Sequence, residues 1–182
     1  MQTRRLTMLS ILLAVSVVLN IVERTTMQAL TQPFAIILGP ILGAGGIRIG
    51  LANVVVLIVL YTYGLRDSFS LLMFRILIVG QLAIGLFSIP FFTSLIGGLV
   101  AFTLMILFKN LKGFSIISVS IMGAVGHVIG QILVAVVVFG LIEILVYFPF
   151  MLMFSIPAGI FTGKLTEKLL DYLKPVIETP TL

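Results

Sequence analysis

The chain contains no cysteine, a single histidine and only 9% charged residues. Without cysteine there is no disulfide frame, no thiolate metal site and no thiol nucleophile, and one histidine argues against a zinc centre. Acidic groups are scarce, six in all, and no two are spaced to face one pocket as binding of a magnesium diphosphate would require. No Walker A stretch occurs, so any ATP-driven work falls to another subunit. No Ser/His/Asp spacing emerges either. The expectation is therefore a chain that binds a small molecule and is not an enzyme, with no metal or cofactor of its own.

What is present is apolar surface. The 182 residues are 60% hydrophobic with a mean hydropathy of +1.32, which leaves lipid as the solvent of the fold. A hydrocarbon core of about 30 Å takes roughly 20 helical residues to cross. Hydrophobic runs bounded by charge, glycine or proline predict six spans at about 6–22, 47–63, 68–87, 92–108, 114–139 and 144–165. The fold class expected is all-α, a six-helix membrane bundle, with residues 1–182 forming a single integral-membrane domain. The first run follows Arg4 and Arg5 like a secretory leader, but no small-x-small cleavage site follows it, so it is expected to stay as the first helix. Between the first two spans, residues 23–46 hold Pro33, Pro40 and four glycines around an apolar stretch, 33–42, too short to cross a bilayer. Irregular backbone at membrane depth must be covered by protein or face water, so this segment is a candidate lid over the bundle.

Lysine and arginine set the orientation. With the amino terminus in the cytoplasm, eight of the eleven basic residues fall inside, and both termini are expected there, in the cytoplasmic membrane. The basic residues mark span ends and form no patch, which argues against a nucleic-acid partner. Leu165, Leu169, Leu170 and Leu173 predict that the last helix continues as an amphipathic cytoplasmic end. Small residues recur four apart at Gly126 and Gly130 and at Gly159 and Gly163, the spacing that lets membrane helices approach closely. Ser10 and Ala14 repeat it on the first helix, where it could serve a partner protein.

Polar groups inside spans cost at least about 2.5 kcal/mol when ionised at the bilayer centre, so each asks for a partner or a function. Arg75, His127, Asn53 and Gln131 lie in spans, with Glu23 and Arg48 at span ends, and they gather toward the outer side. His127 and Gln131 are four apart on one helix face thinned by Gly123, Gly126 and Gly130, which makes a cavity there plausible. Two readings stay open for each group. His127, Gln131 and Asn53 either tie helices together or touch a ligand; Arg75 either pairs internally, with Glu23 as the nearest candidate, or meets an anionic or carbonyl-rich ligand; Arg48 either anchors its helix at the headgroups or serves the site.

The stretch GIRIGLANVVVLIVLY at residues 46–61 resembles the opening of the second helix in the Gx transporter family, also labelled heptaprenyl diphosphate synthase component I. LLMFRILIVGQL around Arg75, SLIGG at 94–98 and SVSIMGAVGHVIGQILVA at 118–135 resemble its later elements, so that the likeness covers about residues 33–170. Val128 departs from it, since the family often has Asn after the histidine. The family is similar to the S components of energy-coupling-factor (ECF) importers. That resemblance implies a six-helix subunit that captures a vitamin-like molecule, such as a quinone or isoprenoid precursor, with Glu23, Arg48, Asn53, Arg75, His127 and Gln131 as substrate contacts. It also implies a transmembrane coupling subunit, docked at Ser10 and Ala14, and two partner ATPases that carry ATP and magnesium. The family's other label implies a different role, a membrane accessory subunit of a prenyl diphosphate synthase, although only two aspartates, Asp67 and Asp171, are present.

Overall fold

The computed structural model describes residues 2–31 and 49–178, and these form six α-helices and no strand. They are α1 (Gln2–Thr31), α2 (Leu51–Thr62), α3 (Leu65–Val79), α4 (Ile89–Asn110), α5 (Ile116–Leu133) and α6 (Phe148–Glu178). Five helical stretches are long and apolar enough to cross a membrane, as expected of a polytopic membrane protein. The candidate lid at 33–42 and Arg48 lie outside the described residues.

Local sequence explains most boundaries. Ser88 caps α4 by accepting the Phe91 N–H, with Pro90 in the first turn, where a missing N–H costs nothing. Ser115 caps α5 by accepting the Ser118 N–H. Both α3 and α5 end in a single π-turn, Gly80–Ile84 and Val134–Val138, the kind of wide turn that often marks functional sites. A short 3₁₀ stretch, Ile142–Tyr147, leads into α6 and carries Glu143 exposed.

Two boundaries depart from the hydropathy reading. The first helix does not stop at 22 but continues to Thr31, so Glu23 sits within it and is buried. The second starts at Leu51, after Gly50 has taken a left-handed backbone (φ 83°). Its 12 residues rise only about 18 Å, short of a full crossing. The helical continuation expected at the end of α6 is present, and its apolar stripe, Leu165, Leu169, Leu170 and Leu173, packs with Val54, Ile58 and Tyr61 of α2. α6 thus covers one flank of this short helix.

The bundle divides into halves. In the second half, α5 lies between α4 and α6 with glycine at each crossing. A Cβ on Gly130 would come 2.6 Å from the Gly97 Cα, and one on Gly159 or Gly163 would come 2.7 Å from the Cα of Ile121 or Ile117. Here the four-residue glycine spacing performs the close packing expected of it. The first half is held by polar ties. Arg5 donates to Asp67 at 2.6 Å, which sets the starts of α1 and α3 at one end of the bundle. Ser16 Oγ donates to the Ala52 carbonyl. Lys109 Nζ, from α4, donates to the Leu60 carbonyl at 2.5 Å and sits over the Tyr61 ring. An apolar core of Leu57, Leu60, Leu72, Phe102, Met105 and Val119 joins the halves.

Candidate functional site

Above the start of α2 lies a cavity of about 90 Å³ that all six helices help to line. Glu23 comes from α1, Asn53 from α2, Arg75 from α3, Ser94 from α4, His127 and Gln131 from α5, and Thr162 from α6. Arg75 and His127 are 10 and 11 residues above the starts of their helices, roughly 15 Å of rise. The site is therefore near mid-depth of a bilayer-sized bundle.

The sequence places five of its six substrate-contact candidates on this cavity; the sixth, Arg48, is outside the described residues. Their surroundings differ. Glu23, 6% exposed, accepts the Gly50 N–H at 2.7 Å and the Leu51 N–H at 2.9 Å, one on each carboxylate oxygen. Gly50 has no side chain to cap α2, so a carboxylate from α1 supplies the missing acceptors at the positive end of the helix dipole. The internal Glu23–Arg75 ion pair considered from sequence is not formed: among the described residues the one ion pair is Arg5–Asp67. Arg75, 5% exposed, directs Nη1 and Nη2 at Asn53 Oδ1, both at 3.3 Å. Its Nε has no partner among the described residues, nor has Gln131 Nε2. The His127 ring lies against Gly97, where a Cβ would meet the imidazole at 3.0 Å. Four-residue spacing brings His127 and Gln131 to the same wall, as the helix period requires.

Sequence reasoning missed the hydroxyls. Ser120 and Thr162 share a hydrogen bond of 2.8 Å at the cavity wall, and Thr162 also donates to the Ala158 carbonyl. Serine and threonine are unremarkable in membrane helices because they can bond the preceding turn. The available signal was Thr162 beside Gly159 and Gly163, at a close crossing. The remaining walls are apolar, with Ile76, Val79, Val128, Met151 and Phe154 among them. Val128, the position that departs from the family pattern, is thus on the cavity surface and packs with Ile132 and Met151.

Ser10 and Ala14 lie elsewhere. Both are exposed on α1 beside Ile11, Val15 and Val18, a face that nothing in this chain covers among the described residues.

The model of a family described as heptaprenyl diphosphate synthase component I matches residues 12–169. The chain belongs to this family. The match spans α2 to α5 whole, α1 from residue 12 and α6 as far as residue 169, with every cavity residue named above. No curated protein and no solved structure matches the chain.

Proposed function

We propose that this member of the heptaprenyl diphosphate synthase component I family is the substrate-binding S component of an ECF-type importer. It captures a vitamin-like small molecule, for which a quinone or isoprenoid precursor is the candidate class, and hands it to a coupling subunit driven by two ATPases. On this reading it lies in the cytoplasmic membrane with both termini in the cytoplasm, the cavity opens outward, and Ser10 and Ala14 dock the coupling subunit. The observation that carries the reading is the cavity itself. Arg75, 5% exposed and with an N–H that has no partner among the described residues, is too costly to keep beside a cavity unless something occupies that space. The volume, about 90 Å³, is of the order of the roughly 150 Å³ cavity that admits benzene. It suits a small metabolite.

Native mass spectrometry of the purified protein tests this directly, the expected result being a retained small molecule. Deleting the partner ATPases is expected to abolish uptake and spare binding; binding that needed ATP would refute the division of labour.

The family's description favours a second reading, a membrane accessory subunit of a prenyl diphosphate synthase. Copurification separates the two: a coupling subunit with ATPases supports the first, a soluble prenyl synthase the second. Neither aspartate is on the cavity, since Asp67 pairs with Arg5 and Asp171 is exposed near the end of α6.

A further inference from the structure

Hydrogen-bond accounting at the cavity indicates the kind of molecule it takes. Each oxygen of the Glu23 carboxylate already accepts a backbone N–H. Asn53 Oδ1 accepts both terminal nitrogens of Arg75. The Ser120 and Thr162 hydroxyls satisfy each other. Two donors are left over, Arg75 Nε and Gln131 Nε2, both buried and without a partner among the described residues. A guanidinium has five N–H groups, and Asn53 engages the terminal ones at a long 3.3 Å.

Charge points the same way. The Glu23 carboxylate is held against the amide end of α2, whose dipole it offsets. Arg75 shares the cavity with Glu23 but is not within ion-pair distance of it. A ligand bringing only hydroxyl or ammonium donors would leave Arg75 Nε and Gln131 Nε2 unmet, whereas one bringing acceptor oxygens with a single negative charge would meet both. The rest of the wall, including Val79, Val128, Met151 and Phe154, is apolar.

We infer that the cavity selects a monoanionic carboxylate on a compact apolar body of about one ring, with the carboxylate on Arg75 and Gln131. This rests on the reading of the cavity as a ligand site. A carboxylate has four lone-pair positions, enough for both leftover donors, and its charge matches that of one guanidinium.

The test uses the full-length protein in lipid nanodiscs and four probes of similar shape: benzoate, benzamide, benzyl alcohol and benzylamine. Benzoate is expected to bind and raise the melting temperature, with the other three at least tenfold weaker. Arg75→Gln is expected to reduce benzoate affinity tenfold or more without lowering the melting temperature of the ligand-free protein, because it removes an unpaired buried charge. Gln131→Leu is the second variant, expected to weaken benzoate severalfold. Equal binding of benzamide or benzyl alcohol, or unchanged benzoate affinity in both variants, overturns the carboxylate while the ligand site stands. If no probe binds, the charge of the molecule found by native mass spectrometry decides: an acid supports the inference and a neutral or basic compound overturns it. No probe bound and no molecule retained overturns the ligand site as well.

Discussion

Glu23 and Gly50 are 27 residues apart in sequence and 2.7 Å apart in space, carboxylate oxygen to backbone nitrogen. The contact determines where α2 begins, and α2 in turn carries Asn53 to Arg75. Glu23→Gln replaces one of two acceptor oxygens with a donor that opposes the Leu51 N–H. The expected loss is about 1–3 kcal/mol of stability, the cost of an unsatisfied buried group, read as a lower midpoint in a thermal melt. Glu23→Ala is expected to lose more.

Lys109 holds the opposite end of the same helix through the Leu60 carbonyl and the Tyr61 ring. Lys109→Met keeps the bulk and removes the donor. The expected cost is about 1–2 kcal/mol, again seen by melting, with ligand affinity unchanged because Lys109 is not on the cavity. A loss of binding as large as that in Arg75→Gln would contradict this separation.

Gly130→Ala would drive a methyl to 2.6 Å from the Gly97 backbone. No side chain can move aside there, so α4 and α5 must part, at an expected cost of about 1–3 kcal/mol or more. The shift should also displace the His127 ring that lies on Gly97, so affinity and stability fall together.

Val128 supplies apolar wall beside His127 and Gln131. Val128→Asn, the residue often found in the family, is expected to weaken an apolar-bodied ligand about tenfold, since an amide facing it unpaired costs roughly 1–3 kcal/mol. It should also raise affinity for a ring bearing one more polar group, measured by competition between the two compounds.

Ala14→Leu enlarges the exposed small-residue face of α1 and touches no cavity residue. Under the importer reading it blocks copurification of the coupling subunit and leaves ligand binding intact. Normal complex formation in this variant would place the docking face elsewhere.

Much of the bundle was legible from hydropathy, because long apolar runs in lipid have few alternatives to helix. The cost of burying Arg75, and the four-residue step from His127 to Gln131, likewise point from sequence to residues that line the cavity. The start of α2 was not legible. Its apolar run begins at Ile47, while the helix waits for Gly50 and a carboxylate from another helix, a tertiary contact that no local pattern encodes. Glu23 for that reason reads from sequence as a span-end residue, and only its hydrogen bonds to Gly50 and Leu51 reveal that it also caps α2. What covers the tail of α6 is not legible for a linked reason: an amphipathic stripe does not reveal whether lipid or a neighbouring helix packs on it.

Because α2 begins only at Leu51, its first turn is itself cavity wall, with Gly50, Ala52 and Asn53 on the lining. The height at which that wall meets Arg75 is thus governed by the register at which one short rod starts, a quantity that a small insertion or deletion near Gly50 would alter in steps of about 1.5 Å.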